Sequence, residues 1–253
     1  MDILFAVFGA GLAAGAVNAV VGSGTLISFP VLLATGLPPV TATVSNALGL
    51  IPGSISGAIG FRRELRGRGR LLLKLGAGAA VGGFSGAILL LALPASAFER
   101  IVPVLVGLAL VLVVLQPWIS ARLRDRRRAN GTAPRKDGGP LLIAGIALAS
   151  VYGGYFAAAQ GVIYIALMGI LLDDTLLRLN AVKNVLVALV NAVAACFFLF
   201  AADYDWTSVG LLAAGSAIGG QLGAAFGRRL PQGVLRGLIV AVGSVSLVQL
   251  VWH

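Results

Sequence analysis

Long apolar stretches joined by short polar segments run the length of the chain, at 3–35, 40–61, 71–93, 98–118, 140–172, 179–201, 207–227 and 232–252. A helix needs roughly 17–25 apolar residues to cross about 30 Å of hydrocarbon, and six of these stretches have that length. The first and the fifth are too long for one crossing. Each is interrupted near its middle, by Gly22-Ser23-Gly24 within "VVGSGTLI" and by "AAAQG" at 157–161. Glycine weakens a helix by about 1 kcal/mol relative to alanine. Both long stretches are therefore expected to be pairs of short helices.

The two halves repeat each other at an offset of about 137 residues, the mark of a duplicated fold. Gly24 falls on Gly161, Gly82-Gly83 on Gly219-Gly220, Gly86 on Gly223 and Leu93-Pro94 on Leu230-Pro231. With a shift of one residue, "VSNAL" at 44–48 falls on "VKNVL" at 182–186. The stripes Gly78-Gly82-Gly86 and Gly215-Gly219-Gly223 have the small-residue spacing of close helix contacts in membranes, so packing is expected of them.

Charge decides how the halves are related. If each broken stretch enters and leaves on one side, each half makes an odd number of crossings and the second half is inverted. All 19 Lys and Arg except Arg100 then fall on or near the cytoplasmic side, including the runs at 62–74 and 122–136, Arg178, Lys183, Arg228, Arg229 and Arg236. That distribution obeys the positive-inside rule, whereas counting each broken stretch as one crossing violates it. The expected fold is an all-α polytopic membrane protein of two inverted-topology repeats, each a broken helical hairpin followed by three transmembrane helices. The repeats cover 1–120 and 140–253, with a basic cytoplasmic linker at 121–139.

Composition agrees, because 58% hydrophobic and 11% charged residues lie far from the soluble average. A net charge of +10 raises the question of nucleic acid. The basic residues sit in short loops between apolar stretches, without the folded basic face and stacking aromatics of a nucleic-acid binder, and none is expected as a partner. Met1-Asp2-Ile3 lacks the basic start of a signal peptide, so the first stretch is expected to be retained. The single Cys196 forms no intramolecular disulfide.

The breaks carry the candidate chemistry. Backbone groups freed in hydrocarbon must be met by protein, water or ligand. The half-helix starting near Thr25 would turn unpaired N–H groups and its positive dipole end into the first break, an arrangement suited to an anion. The candidate substrate-binding residues are Asn18, Gly22, Ser23, Gly24 and Thr25 in the first half, with Tyr155, Gln160 and Gly161 in the second. The segments after the breaks add Thr43, Ser45 and Asn46, then Asn180, Lys183 and Asn184. Lys183 lies near a helix start, where snorkelling to the interface competes with a role at the site.

Several functions lack their residues. No phosphate-binding G-x-x-x-x-G-K-[ST] motif occurs, the one histidine is the terminal His253, and no Ser or Cys pairs with a histidine. Catalysis, a metal and a cofactor are therefore not expected. Every carboxylate falls in a predicted loop or at a stretch end, so no intramembrane acid offers a proton relay.

Residues 11–57, "GLAAGAVNAVVGSGTLISFPVLLATGLPPVTATVSNALGLIPGSISG", resemble the opening repeat of the sulfite exporter TauE/SafE family of bacterial permeases. The resemblance is carried by Gly15, Asn18, Gly22-Ser23-Gly24, Pro30-Val31, Gly36-Leu37-Pro38-Pro39 and Ala42 to Asn46. Ser23 stands where a third glycine is common, and the second repeat has "YGGYFAAAQG" where many members are richer in glycine. The resemblance implies secondary transport, commonly export, of sulfite, an organosulfonate or another small anion across the bacterial cytoplasmic membrane. The expected partners are thus a small anionic substrate and the lipid bilayer, with a homodimer also compatible. An anion channel and a non-transporting membrane assembly protein remain open alternatives.

Overall fold

A computed structural model describes residues 2–129, 139–172, 174–226 and 232–252. They form α1 (Asp2–Val20), α2 (Thr25–Ala34), α3 (Pro39–Gly49), α4 (Ile51–Gly60), α5 (Gly69–Ala92), α6 (Ala95–Ala129), α7 (Gly139–Tyr155), α8 (Gln160–Leu171), α9 (Leu176–Phe198), α10 (Trp206–Phe226) and α11 (Gln232–Trp252). Among the described residues no strand occurs. Within α1, α5, α6, α9 and α10 lie five helical segments long and apolar enough to cross a membrane. Large apolar side chains such as Leu73, Val81, Leu148 and Phe200 face outward, as lipid rather than water requires.

Both long stretches are broken, and both double back. A Cβ added to Gly24 would lie 3.0 Å from the Ala14 carbonyl carbon, so the start of α2 returns alongside α1. In the second half a Cβ on Gly145 would lie 3.4 Å from Leu167, and Gly153 is covered by the Gln160 side chain, which puts α8 antiparallel to α7. A third interruption was not expected: the stretch 40–61 parts at Leu50 into α3 and α4. Pro52 explains it, since proline lacks the N–H that would bond back four residues. Helix α6 runs on to Ala129, so 121–129 of the expected linker is helical. The rest of that linker, 130–138, lies outside the described residues, as do Arg228 and Arg229 of the charge pattern.

Contacts between the halves come in exchanged pairs. Helix α1 packs on α10 and α7 on α5; α3 and α4 pack on α10 as α9 does on α5; α2 meets α11 as α8 meets α6. The glycine stripes make the closest of these contacts. A Cβ on Gly82 would stand 2.9 Å from the Ala147 carbonyl carbon of α7, and one on Gly219 would stand 2.8 Å from that of Leu12 in α1. One repeat further along, Gly86 meets Val151 while Gly223 meets Ala16. Lipid tails are as apolar as leucine, so helix association depends on such close backbone approach. The two halves hold each other by the same contact made twice.

A further tie joins the halves at the joint between α8 and α9. Asp174 pairs with Arg68, from the basic loop before α5, at 2.5 Å, and stands 3.7 Å from Arg178. Its carboxylate also accepts the Thr175 N–H at 2.9 Å.

The contrast between glycines gives a test. Gly219→Ala is expected to lower the unfolding temperature of the purified protein through about 1–3 kcal/mol of overpacking. Gly210, which nothing approaches within 4 Å, is expected to accept alanine without loss. Equal behaviour of the two variants in a thermal unfolding assay would contradict this packing.

Candidate functional site

The first break begins with how α1 ends. The N–H groups of Val21 and Gly22 both turn back to the Val17 carbonyl, at 2.7 and 3.2 Å, and Gly22 adopts φ +88°. That ending leaves the carbonyls of Asn18 and Ala19 without backbone donors. Helix α9 supplies side-chain donors instead. Lys183 Nζ donates to Asn18 O at 2.7 Å and to Ala19 O at 3.4 Å. Asn180 and Asn184 each donate a side-chain N–H to Ala19 O, at 3.0 and 3.2 Å. Residues 180, 183 and 184 share one helix face, and a cation is favoured at a helix C-terminus. Asn18 turns its side chain the other way and donates to Ser54 Oγ of α4 at 3.0 Å.

Lys183 is therefore not snorkelling. It is 0% exposed, and that expectation is corrected accordingly. The α1 carbonyls hold its ammonium in the interior because they offer the acceptors that lipid lacks.

The second break ends in the same manner, with the N–H groups of Phe156 and Ala157 turning back to Tyr152 O at 2.9 and 3.4 Å. Here the left-handed positions are taken by Ala157 (φ 64°) and Ala159 (φ 54°). Left-handed backbone costs a residue with a Cβ roughly 1–2 kcal/mol. The Tyr152 hydroxyl helps to hold the turn by donating to Ala158 O at 2.7 Å.

The two breaks touch. Gly161 N–H donates to Gly22 O at 3.1 Å, and a Cβ on either glycine would lie 2.6 Å from the Cα of the other. The stem of Lys183 lies against both: its Cδ would be 3.1 Å from a Cβ on Gly22 and 2.8 Å from one on Gly161. Only glycine permits this approach at either position. Asn18, Gly22, Gly161, Lys183 and Asn184 are thereby brought into one polar knot, to which Asn180, Ala19 and Ser54 also belong.

Around the knot, several donors and acceptors are unmet. Leu26 and Ile27 bond back to the carbonyls of Ser23 and Gly24 at 3.2 and 2.9 Å, but among the described residues the N–H groups of Ser23, Gly24 and Thr25 have no backbone acceptor. Those of Ala158, Ala159 and Gln160 likewise have none. Ser23 is 1% exposed, and its Oγ has no hydrogen-bond partner; nor have Gln160 Oε1, Asn180 Oδ1 and Asn184 Oδ1. A buried polar atom left so costs about 1–3 kcal/mol. The tips of both hairpins thus hold unsatisfied polar groups on either side of the Gly22–Gly161 contact that the Lys183 stem covers.

The remaining candidates lie in separate networks. Asn46 accepts from Ser28 Oγ at 2.5 Å and donates to Thr25 Oγ1 at 3.2 Å, fastening α3 to the first turn of α2. Gln160 Nε2 donates to the Tyr164 hydroxyl at 2.5 Å, which in turn lies 2.6 Å from Ser150 Oγ. Ser45 accepts the backbone N–H of Asp205, at 3.1 Å, in the joint before α10. Tyr155 packs edge-on against Phe98 at 5.4 Å, with its hydroxyl unpartnered. Ser28, Ser54 and Ser150 were not expected as partners, nor was Tyr164, although it follows Gln160 by one turn on the same face of α8, a spacing the sequence shows.

Fold and site together define a multi-pass, all-helical membrane protein in which two broken hairpins meet tip to tip. The sulfite exporter TauE/SafE family matches residues 7–250, and the chain belongs to that family. It is 27% identical over 251 residues to the Probable membrane transporter protein YfcA of Escherichia coli K12, covering 99% of this chain and 90% of that protein. It is 26% identical to a Probable membrane transporter protein of Haemophilus influenzae, covering 100% and 96%. A third relative, Probable membrane transporter protein ORF9 of a Sinorhizobium species, is 23% identical over 98% of this chain and 92% of its own length. No solved structure gives a significant match.

The left-handed backbone of Ala159, just before α8, predicts the effect of relieving the strain. Ala159→Gly is expected to stabilise the protein by about 1 kcal/mol, net of glycine's greater freedom when unfolded. In thermal unfolding that reads as a rise of about 2–4 °C. A fall would contradict a strained turn at this position.

Proposed function

We propose that this protein is a secondary transporter that binds a small sulfur-containing anion, such as sulfite or an organosulfonate, between its two hairpin tips and exports it across the bacterial cytoplasmic membrane. The observation that carries this reading is the fully buried Lys183 beside the Gly22–Gly161 contact. Among the described residues it forms no ion pair with a carboxylate. A buried charge needs a counter-charge, and an anionic substrate provides one.

The unmet N–H groups of Ser23, Gly24 and Thr25, and of Ala158, Ala159 and Gln160, open the N-termini of α2 and α8. In this reading both helix ends face the substrate from opposite halves, with Ser23 Oγ as a neutral hydrogen-bond donor. Asn46 and Thr25 position the first hairpin, while Asn180 and Asn184 position α1. Discontinuous helices of this kind form substrate sites near the midplane of transporters built from inverted repeats.

The exchanged contacts of the two halves support an inverted repeat, in which hairpins that double back would leave each half with an odd number of crossings. Family membership and the names of the relatives favour transport. Export fits the energetics, because a membrane potential negative inside drives an anion outward at about 2.3 kcal/mol per charge per 100 mV.

Ser23→Ala separates binding from folding. The hydroxyl has no partner in the unliganded protein, so its removal is expected to leave the unfolding temperature unchanged or slightly raised. Saturable anion uptake into proteoliposomes is expected to need about tenfold more substrate, the loss of one hydrogen bond to a charged group. Unaltered half-saturation would remove Ser23 from the site.

A further inference from the structure

We infer that Asn191 works in the transport cycle as a hydrogen-bonding partner of Gln160: the pair is the second half's counterpart of the Asn18–Ser54 bond, and the two bonds are made in alternation as the protein changes the side it opens to. The inference rests on the reading of the protein as a transporter built from an inverted repeat. It adds to that reading a residue and a switch.

The equivalence is set by contacts that the halves share. Helices α1 and α7 end alike, with Val17 O and Tyr152 O each taking two N–H groups of the turn that follows. The residue before each, Ala16 and Val151, meets Gly223 and Gly86 respectively. Gly153 therefore takes in the second half the place that Asn18 takes in the first. On the facing helices, a Cβ on Gly220 would lie 3.0 Å from the Gly53 carbonyl carbon, and one on Gly83 would lie 3.0 Å from Val190 Cγ1. Gly220 and Gly83 correspond in the repeat, so Ser54 of α4 corresponds to Asn191 of α9.

Gly153 has no side chain, and Gln160 supplies one. Its carboxamide covers Gly153, so an amide again stands where Asn18 has its own. In the first half that amide is bonded, with Asn18 Nδ2 donating to Ser54 Oγ at 3.0 Å. In the second half the bond is unmade. Gln160 is 1% exposed and Asn191 3%, yet neither Gln160 Oε1 nor Asn191 Oδ1 has a hydrogen-bond partner. The orientation of the Gln160 amide is fixed. Ser150 Oγ donates to Ile146 O at 2.6 Å and so receives the Tyr164 hydroxyl, which leaves Tyr164 as the acceptor for Gln160 Nε2. Oε1 is then a buried acceptor without a donor, and the amide N–H of Asn191 is the donor that the repeat sets opposite it.

Alternation follows from the pairing of a made bond with an unmade one. In an inverted repeat, equivalent ties lie on opposite sides of the site, and access changes as one repeat rocks against the other. With Asn18–Ser54 made, α1 is tied to α4; with Gln160–Asn191 made, the second hairpin would be tied to α9. Each state keeps one such bond. The exchange leaves their number unchanged, which holds the two states close enough in free energy for both to be populated.

The test is uptake of radiolabelled sulfite and sulfoacetate into proteoliposomes, with thermal unfolding of the same purified variants. Asn191→Ala is expected to lower the maximal rate about fivefold to tenfold, the loss of one hydrogen bond in the opposite-facing state. Its unfolding temperature is expected not to fall, because Asn191 Oδ1 has no partner here to lose. Asn191→Ser is expected to restore most of the rate, since a hydroxyl can donate to Gln160 Oε1 and serine is what the first half carries at this place. In a Gln160→Met background, Asn191→Ala is expected to slow uptake no further. The alternation is overturned by a wild-type rate for Asn191→Ala, by an added loss in the Gln160→Met background, by no rescue with serine, or by a variant that unfolds earlier or fails to fold. If Ser23→Ala still raises half-saturation in that event, the anion site stands. If it does not, or if neither anion is carried, the transport reading falls with the inference.

Discussion

A helix that ends in a buried interior leaves its last carbonyls without water as a donor, and the rest of this structure depends on how α1 meets that constraint. Its carbonyls at Asn18 and Ala19 are taken by Lys183, Asn180 and Asn184 of α9. In hydrocarbon an unsatisfied backbone group costs several kcal/mol, so this cap binds the first half of the chain to the second at the first break. The same cap holds an ammonium in a place where a lone lysine would otherwise be expelled to the interface.

From that tie the geometry of the tips follows. With α1 held against α9, Gly22 and Gly161 come into backbone contact, and one hydrogen bond between them joins the hairpins. The glycine stripes do the corresponding work along the helices, each letting the opposite half approach to backbone distance. Close packing outside and incomplete hydrogen bonding at the tips are complementary. The stripes and side-chain networks stabilise the scaffold, while Ser23 and two sets of helix-end N–H groups stay unsatisfied within it. That unmet polarity around the Gly22–Gly161 contact is what the proposed anion would complete.

Much of the fold was legible because membrane helices announce themselves by length and apolarity. The eight stretches correspond to the described helices, and the two interruptions mark the two hairpins. The break at Leu50 was missed because Pro52 alone does not say whether a helix kinks or ends. The site was less legible, since a polar residue in an oily helix shows that it needs a partner without saying which. Asn46 and Thr25 satisfy each other, Ser45 is held by the Asp205 backbone, and Tyr155 lies among aromatic rings. Lys183 looked like an interfacial residue because the α1 carbonyls that retain it are 165 positions away in the chain. The strain at Ala157 and Ala159 had no signal at all, as alanine is the residue least associated with left-handed turns.

The central claim is that the hairpin tips are where the anion sits, and a structure determined with a heavy-atom substrate analogue tests it most directly. For 2-bromoethanesulfonate, the account predicts an anomalous bromine peak at the Gly22–Gly161 contact, with sulfonate oxygens within about 4 Å of Lys183 Nζ and close to Ser23 Oγ. A peak elsewhere, with the tips unoccupied at saturating analogue, would contradict it.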